Sequence, residues 1–439
     1  NDVLIGGAGI DRLNGGDGSD VYILTVLADK TAAEIADTGV SGVDDLRFAA
    51  TVAGTLTLLA GDTGLERVVI GTGTGAVAVS TATTALNVDA AAVANGLAIL
   101  GNAGINRLTG TAFADVIDGG AGNDTLSGGL GDDSLNGGAG TDTVTYAGQA
   151  ESVAVSLAVT TAQATGAAGS DQILNVENLI GGNGNDTLTG NAGANNLNGG
   201  SGDDFITGGA GDDVLTGGAN GTAGDTVNYA DAIAGVTVSL ATTAAQVTVG
   251  AGRDTISGFE NLSGSSFGDV LTGSTGNNVI RGGVGADRIT GGDGTDYLYG
   301  GADADTFVFT AASNSRVGSA RDVIFDLQPG DVLDFSAIDA NGAAAGNTAF
   351  ANMASKLDLC DIRDTAMRFG VHRADGTEIM HVVGFEGLAP LREQVSEHAL
   401  CGAQGFTLTF NRDLKALKLG GKLIMFIPHI LNLCGEICK

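Results

Sequence analysis

A nine-residue unit recurs in blocks along the chain, and this repeat restricts the possible folds more than any other feature. From Gly119 the sequence reads GGAGNDTLS, GGLGDDSLN and GGAGTDTVT without a gap. Runs of five units start at Gly101, Gly181 and Gly264, and residues 1–23 hold two further complete units. One unit is too short to bury an apolar face alone, so we expect the units to stack on one another. The opening residues NDVLI correspond to the end of a unit, which predicts that the chain is a piece of a longer protein.

Each unit combines a turn with a short strand. The glycines of the turn allow positive φ and a tight bend in which backbone carbonyls converge. With six turn residues and three strand residues per unit, two units complete one coil, so that units n and n+2 lie one above the other. We therefore predict an all-β fold, in which parallel β-roll blocks alternate with small β modules. The eighth position is apolar and is predicted to point into the core, as at Leu13, Leu126, Leu135, Leu188, Ile206, Leu215, Ile289, Leu298 and Phe307.

The sixth position of the unit carries Asp in most copies. Carboxylates and turn carbonyls of stacked units would form a flexible cage of oxygen atoms, which suits Ca²⁺ better than Zn²⁺ or Mg²⁺. The candidate carboxylate ligands are Asp2, Asp11, Asp20, Asp115, Asp124, Asp133, Asp142, Asp186, Asp204, Asp213, Asp225, Asp269, Asp287, Asp296 and Asp305. The glycines assigned to the best-formed cages are Gly119, Gly120, Gly122, Gly181, Gly182, Gly184, Gly199, Gly200, Gly202, Gly282, Gly283 and Gly285.

These units resemble the repeat-in-toxin (RTX) nonapeptide, GGxGxDx(apolar)x, of secreted bacterial proteins. The resemblance covers about half of the chain, and it implies Ca²⁺ sites, export by the type I secretion machinery and folding outside the cell. Some units depart from the pattern. Asn106, Asn195 and Asn278 replace Asp, which keeps an oxygen but removes the charge. The turns GTAFAD and GSSFGD lack the second and fourth glycines, so Asp115 and Asp269 are weaker candidate ligands.

The charge of the chain points to the same kind of partner. Against 20 Lys and Arg stand 51 Asp and Glu, giving a formal net charge of −31. This balance argues against nucleic acid and anionic membranes as partners, since both are bound through basic surfaces. It favours cations. Disorder is not the expected consequence of the acidity, because 43% of the residues are hydrophobic and can form a core.

The segments between the runs are themselves repeated. Residues 146–180 align without a gap on residues 229–263, and their VAVSL and VTVSL alternate with the period of a β-strand. Residues 24–100 are read as a longer variant of the same module. We expect these modules to extend or cap the roll, whereas a ligand-binding role is not supported by any polar cluster. The predicted segments are a partial β-roll (1–23), three β-rolls (101–145, 181–228 and 264–308), three linking modules (24–100, 146–180 and 229–263), a closing β cap (309–347) and an atypical segment (348–439).

Catalytic motifs give no convincing site. Residues 264–268, GSSFG, match the GxSxG motif of hydrolases, but they lie in the repeat register without a strand–turn–helix pattern around them. No HExxH sequence is present. His372, His381, His398 and His429 lack the spacing of metal ligands. The sequence therefore predicts no enzyme activity in this chain, and an upstream catalytic domain stays open.

The C-terminal part differs in composition. Residues 304–341 resemble the segment that closes the rolls of serralysin-type secreted proteins. All four Cys, all four Met and all four His follow residue 350, where the net charge is neutral. We expect the segment from about Met353 to Lys439 to contribute nothing to Ca²⁺ binding or to the roll. Residues 423–433, LIMFIPHILNL, are too short for a membrane span and contain a proline. A recombined tail and a divergent secretion signal remain alternative interpretations.

The sequence thus predicts a secreted Ca²⁺-binding protein located outside the cell or on its surface. Its role would be structural, with Ca²⁺-dependent folding that forms a stalk or an adhesin scaffold whose adhesion partner is unknown. The alternative is the non-catalytic secretion and folding region of an RTX protease or lipase. The sequence preceding Asn1 would distinguish the two, since adhesive domains or a catalytic domain would stand there.

Overall fold

The computed structural model describes residues 1–7, 11–25, 34–74, 77–311, 313–315, 321–335 and 337, together with the backbone of seven strands beyond residue 356. This part of the chain forms 39 β-strands and one short 3-10 helix, Gly166–Ala168, and it contains no α-helix. The prediction of an all-β fold is confirmed. The chain divides into two compact units, Asn1–Asp225 and Thr226–Lys439. Among the described residues, no helix has the length and apolar character needed to cross a membrane.

The first unit contains strands β1 to β20, most of them three or four residues long. Their bounds are β1 Val3–Ile5, β2 Val21–Leu24, β3 Asp45–Phe48, β4 Gly54–Thr57, β5 Arg67–Ile70, β6 Leu86–Asp89, β7 Ala98–Leu100, β8 Arg107–Thr109, β9 Val116–Asp118, β10 Thr125–Ser127, β11 Ser134–Asn136, β12 Thr143–Thr145, β13 Ala154–Ser156, β14 Gln163–Ala164, β15 Ser170–Leu174, β16 Asn178–Ile180, β17 Thr187–Thr189, β18 Asn196–Gly202, β19 Phe205–Thr207 and β20 Val214–Asn220.

Alternate strands of the first unit belong to opposite sheets, as expected of a β-roll. One sheet has the order β1-β2-β3-β5-β7-β9-β11-β15-β14, and the facing sheet contains β20-β18-β16-β12-β10-β8-β6-β4. Pairing is parallel, and in the repeats Thr125 of β10 lies between Arg107 and Thr143, each 18 residues away. The register therefore confirms that two nine-residue units make one coil. A third sheet, β13-β17-β19, starts within residues 146–180.

The core of the roll is a column of single apolar side chains, one from the middle of each strand. Leu108, Ile117, Leu126, Leu135 and Val144 have no exposed surface. Burying one such aliphatic side chain stabilises the folded state by roughly 1.5–3 kcal/mol. The flanking strand residues remain partly exposed, because successive side chains point to opposite faces of the sheet. The predicted inward direction of the eighth position is confirmed.

The linking modules of the first unit continue the stack. Residues 24–100 supply β3 to β7, which pair in the same two sheets as the repeats. In residues 146–180, β15 pairs with β11 and β16 pairs with β12, both in parallel. The antiparallel strand β14 then covers the far edge of β15. The coils thus remain in register although the loops between them differ in length.

The second unit repeats the arrangement with strands β21 to β39. Its bounds are β21 Thr226–Asn228, β22 Thr237–Ser239, β23 Gln246–Val247, β24 Arg253–Ser257, β25 Asn261–Ser263, β26 Val270–Thr272, β27 Val279–Val284, β28 Arg288–Thr290, β29 Tyr297–Ala302, β30 Thr306–Val308, β31 Asp322–Ile324, β32 Val332–Asp334, β33 Leu357–Leu359, β34 Ala366–His372, β35 Glu378–Phe385, β36 Ala399–Cys401, β37 Phe406–Leu408, β38 Ala416–Leu419 and β39 Lys422–Met425.

Two sheets face each other in the second unit as well, with the orders β21-β25-β27-β29-β31-β35-β34-β33 and β22-β26-β28-β30-β32. Strand β35 pairs in parallel with β31, so the expectation that the segment from about Met353 to Lys439 adds nothing to the roll is wrong for this strand. The sequence hid this contact because β35 carries no nonapeptide. The end of the predicted cap, residues 338–347, and most of the segment that follows, including His398, His429, Cys434 and Cys438, lie outside the described residues.

Candidate metal centres

The sixth-position carboxylates are buried at the turns of the roll. Asp2 is exposed and Asp11 is half-buried, whereas the other thirteen candidates have at most 3% of their surface exposed. These thirteen are Asp20, Asp115, Asp124, Asp133, Asp142, Asp186, Asp204, Asp213, Asp225, Asp269, Asp287, Asp296 and Asp305. A buried carboxylate is costly unless hydrogen bonds or a cation compensate for the lost water, so the partners of each oxygen decide what the turn can bind.

The first carboxylate oxygen, Oδ1, is used for stacking the coils. The backbone N–H of Asp186 donates to Oδ1 of Asp204 at 2.8 Å, and the N–H of Asp204 donates to Oδ1 of Asp225 at 2.8 Å. The same bond joins the sixth positions of coil after coil. It is present in the pairs Asp2 to Asp20, Asn106 to Asp124, Asp115 to Asp133, Asp124 to Asp142, Asn195 to Asp213, Asp269 to Asp287, Asn278 to Asp296 and Asp287 to Asp305.

The second oxygen, Oδ2, has no hydrogen-bond partner in many of these turns although it is buried. This is the state of Asp20, Asp124, Asp133, Asp142, Asp204, Asp287, Asp296 and Asp305. Buried polar atoms are nearly always satisfied, so a recurring open oxygen at one repeat position indicates a ligand. Burial raises the pKa of Asp204 to about 6 and the pKa values of Asp133 and Asp287 to about 7.

The second glycine of the turn determines whether Oδ2 is open. Gly200, with φ +104°, belongs to the turn of Asp204, whose Oδ2 is open. In the turn of Asp186 the corresponding Gly182 lies outside the left-handed region, and its N–H donates to Oδ2 of Asp186. The same closure occurs where another residue replaces this glycine, since the N–H groups of Thr111 and Ser265 donate to Oδ2 of Asp115 and Asp269, both at 2.6 Å.

Backbone carbonyls press against the same turns. A Cβ added at Gly200 would lie 2.4 Å from the carbonyl oxygen of Gly182, and one added at Gly202 would lie 2.3 Å from that of Gly184. A Cβ at Gly199 would lie 2.1 Å from Oδ2 of Asp204. Open carboxylate oxygens and converging carbonyls are the hard oxygen ligands that Ca²⁺ prefers. The turn therefore fits Ca²⁺ by the chemistry of its donors.

The asparagine variants are closed by hydrogen bonds. Oδ1 of Asn195 accepts the N–H of Asn191 at 2.7 Å, and its Nδ2 donates to the carbonyl of Glu177 at 2.9 Å. Asn278 makes the same two contacts with Ser274 and Glu260. Both polar atoms of the amide side chain are thus hydrogen-bonded to the backbone, whereas the aspartate in the same position leaves one oxygen without a partner.

Several acids that the repeat pattern does not include occupy the sixth position of irregular coils. The N–H of Asp142 donates to Glu177 Oε2 at 2.8 Å, and the N–H of Asp305 donates to Oδ1 of Asp331 at 3.0 Å. Sequence reasoning missed these residues, but a signal existed, because each is an acid two residues before a buried apolar residue, as in the repeat. The others in this class are Asp44, Glu66, Asp171 and Asp322.

Asp171 shows how a linking module closes such a position without an open oxygen. Its Oδ1 accepts the N–H of Asp133 at 3.0 Å. Its Oδ2 accepts the hydroxyls of Tyr146 at 2.8 Å and Thr165 at 3.1 Å. Two neutral donors take the place that a cation would fill in a repeat turn.

The GSSFG sequence is a turn of the roll. The hydroxyl of Ser265 donates to Oδ1 of Asp269 at 2.7 Å, and Ser265 is 3% exposed. Its oxygen therefore supports the turn.

Fold and turns together define a parallel β-roll whose repeated turns offer oxygen cages for cations. The family of RTX calcium-binding nonapeptide repeats matches residues 1–24, 100–135, 122–149, 176–206, 189–221, 263–298 and 272–307. A comparison with curated protein sequences gives no match. These matched segments are RTX calcium-binding nonapeptide repeats, and the repeats bind Ca²⁺.

Proposed function

We propose that this chain is a secreted structural segment whose folding is driven by Ca²⁺ and which serves as an extracellular stalk or adhesin scaffold. The observation that carries the proposal is the open, buried Oδ2 at successive turns, exemplified by Asp124, Asp142, Asp204 and Asp287. Burial, and after it the charges of neighbouring carboxylates, raises the pKa values of Asp124, Asp204 and Asp287, so that repulsion along the ionised rows is uncompensated without a cation. Ca²⁺ removes the repulsion and supplies the missing ligand contact, so binding energy becomes folding energy.

The proposed carboxylate ligands divide into three groups. Asp20, Asp124, Asp133, Asp142, Asp204, Asp287, Asp296 and Asp305 hold the ions through an open Oδ2, and Asp213 and Asp225 stand in equivalent turns. Asp115, Asp186 and Asp269 belong to the first coils of their runs. In each of them a backbone N–H already donates to Oδ2. Asp2 and Asp11 lie in the least buried turns and contribute least.

The expected affinity suits an extracellular role. Sites built from flexible extracellular modules bind Ca²⁺ with Kd values of roughly 10⁻⁴–10⁻³ M. At cytosolic concentrations of free Ca²⁺ such a chain stays unfolded, and a type I exporter requires an unfolded chain. After export the higher Ca²⁺ concentration folds it. RTX repeats occur in secreted bacterial proteins, which supports this location.

Circular dichroism of the full chain, titrated with Ca²⁺ and separately with Mg²⁺, tests the proposal. We expect little β-structure in EDTA and a cooperative gain of β-structure with Ca²⁺. The gain with Mg²⁺ should be much smaller, because Mg²⁺ is a smaller ion that requires octahedral geometry and gives up its water reluctantly. Equal β-content in EDTA and in Ca²⁺ would refute the coupling of folding to Ca²⁺.

A second candidate function is the non-catalytic C-terminal region of an RTX protease or lipase. The observation that favours it is the closing segment, in which Asp322 and Asp331 continue the sixth-position stack beyond the last repeat. The sequence of this region, residues 304–341, also resembles the segment that closes the rolls of serralysin-type secreted proteins. Sequencing the gene upstream of the codon for Asn1 separates the two functions, because the enzyme requires a catalytic domain there and the adhesin requires further adhesive domains.

A further inference from the structure

Two buried carboxylates of residues 24–100, Asp37 and Asp44, lie close to Asp20 although neither belongs to a matched repeat. Asp20, Asp37 and Asp44 are 0%, 7% and 4% exposed. One carboxylate oxygen of each lies within 4.8 Å of those of the other two. Within the described part of the chain, no other three acidic, histidine or cysteine side chains come together so closely.

The turn that carries Asp44 stacks on the turn of Asp20 as one repeat turn stacks on another. The N–H of Asp20 donates to Oδ1 of Asp44 at 2.8 Å, and β2 pairs with β3 in parallel. A Cβ added at Gly42 would lie 1.9 Å from the carbonyl oxygen of Gly18. The carbonyls of the Asp20 turn therefore point at residues 39–44, as they do between repeats.

An open oxygen lies beside these acids. Oδ2 of Asp20 is fully buried and has no hydrogen-bond partner. It would lie 2.4 Å from a Cβ at Gly15, whose N–H donates to Oδ1 of Asp37 at 2.9 Å. The open oxygen and Asp37 therefore meet at the same turn. The other oxygen, Oδ1, is already engaged, because it accepts the N–H of Asp2 and lies 3.2 Å from the amino group of Asn1.

Asp37 is held in its ionised form. Burial alone would raise its pKa, but the Tyr22 hydroxyl and the N–H groups of Gly15, Gly16 and Gly39 donate to it and keep the pKa below its usual value. The negative charge of Asp37 thus lies close to the carboxyl groups of Asp20 and Asp44.

The pKa of the third acid, Asp44, reflects its burial and the acids around it. Burial, together with the charges of Asp37, Glu66 and Asp20, raises the pKa of Asp44 to about 6. A cation placed between the three carboxylates would relieve this repulsion and complete the coordination of Asp20.

We propose that Asp20, Asp37 and Asp44 together bind a Ca²⁺ ion at a site that the nonapeptide pattern does not include. The turn of Asp37 thereby brings one more carboxylate than the two sixth-position residues of a repeat cage. Because ligand charge increases Ca²⁺ affinity, this site binds more tightly than the repeat cages. It rests on the Ca²⁺-binding role proposed above and extends that role into a linking module.

Ca²⁺ binding by the full chain, counted by equilibrium dialysis, tests this site together with Tb³⁺ luminescence excited through tyrosine. The chain has no Trp and five Tyr, and the Tyr22 hydroxyl contacts Asp37 at 2.8 Å, so a Tb³⁺ ion at this site is sensitised by Tyr22. We expect Asp37→Asn to bind one ion fewer than the wild type, to lose the tightest binding step and to emit less. An unchanged ion count and an unchanged tightest Kd would overturn the assignment.

Asp171→Asn is the matched control. Asp171 is also buried, accepts a tyrosine hydroxyl at 2.8 Å and, like Asp37, has both oxygens hydrogen-bonded, but it does not belong to the cluster of three carboxylates. It is expected to keep the ion count of the wild type, and loss of one ion here as well would count against the assignment.

If Asp37→Asn does not fold with Ca²⁺, the Tyr22→Phe variant tests the site instead. This variant keeps all three carboxylates, so the ion count is expected to stay while the sensitised emission falls, and unchanged emission would overturn the proposal. A wild-type chain that neither binds Ca²⁺ nor folds with it would refute the proposed function itself. A wild-type chain that folds with Ca²⁺, together with an Asp37→Asn variant that behaves identically, would refute only the site at Asp20, Asp37 and Asp44.

Discussion

At the scale of single residues, the backbone conformation of one glycine decides the chemistry of a carboxylate four residues later. In the turn of Asp204, the left-handed φ of Gly200 turns its N–H away and leaves Oδ2 open. In the turn of Asp186, the N–H of Gly182 closes the corresponding oxygen. Two units with the same GGxGxD pattern thus differ in what they offer a cation.

Gly200→Ala tests the role of this glycine. A left-handed conformation costs an L-residue about 1–2 kcal/mol, and the added Cβ would meet the Gly182 carbonyl oxygen at 2.4 Å. We expect a higher midpoint in the Ca²⁺ titration of β-structure and the loss of at least one bound ion. Gly148→Ala is the control, because Gly148 is exposed and a Cβ there would meet nothing within 4 Å. Equal midpoints for both variants would contradict the role assigned to Gly200.

Asp204→Asn and Asp186→Asn form a second matched pair. Both substitutions preserve an Oδ1 acceptor for the previous coil, but only Asp204 has an open Oδ2. Asp204→Asn should therefore lower the number of bound ions and raise the Ca²⁺ midpoint, whereas Asp186→Asn should keep the ion count. Equilibrium dialysis measures the count, and equal losses in the two variants would show that Oδ2 does not select the sites.

At the scale of elements, the sequence predicted the regular coils and missed the irregular ones. Nine-residue spacing is sufficient to derive the 18-residue register and the buried position of Leu126. It cannot reveal that Asp171 lies one coil after Asp133, because the loop between them makes the separation 38 residues. Likewise, the state of an Oδ2 atom depends on φ in its turn, and two GGxGxD units can differ in φ.

Tyr146→Phe tests the closure of the linking module. The hydroxyl of Tyr146 is buried and donates to Oδ2 of Asp171, so its removal leaves a buried acceptor with one donor fewer and costs about 1–3 kcal/mol. We expect a lower Tm in saturating Ca²⁺ with an unchanged ion count. Tyr297→Phe is the control because Tyr297 is 45% exposed, and the Tm of this variant should change little. A lost ion in Tyr146→Phe would show that Asp171 holds a cation after all.

At the scale of the whole molecule, a net charge of −31 has to be reconciled with a compact fold. The two units each place rows of carboxylates along their turns, and burial raises the pKa values of Asp133, Asp296 and Asp305 to about 7. Protons can therefore replace Ca²⁺ in part, since either one neutralises the row.

This reasoning predicts an acid-induced gain of structure without Ca²⁺. Because the folded-state pKa values lie above the usual 3.8 of Asp, the folded chain binds more protons than the unfolded chain. The stabilisation by these bound protons is complete at a pH below the pKa of Asp in the unfolded chain, and it is lost as the pH rises through about 7. In EDTA, far-ultraviolet circular dichroism should thus show more β-structure at about pH 5 than at about pH 8. A steady loss of β-structure on acidification would contradict this expectation.

The 18-residue register has a mechanical consequence. One coil advances the roll by a single strand spacing, about 4.7–4.9 Å, whereas the same 18 residues pulled straight reach about 60 Å. Under the proposed function, every coil therefore holds contour length that is released when Ca²⁺ is removed. In a stalk under tension, removal of Ca²⁺ would convert a short, stiff spacer into a long, flexible linker, and the return of Ca²⁺ would shorten it again. The reach of such a stalk is set by the calcium concentration around it.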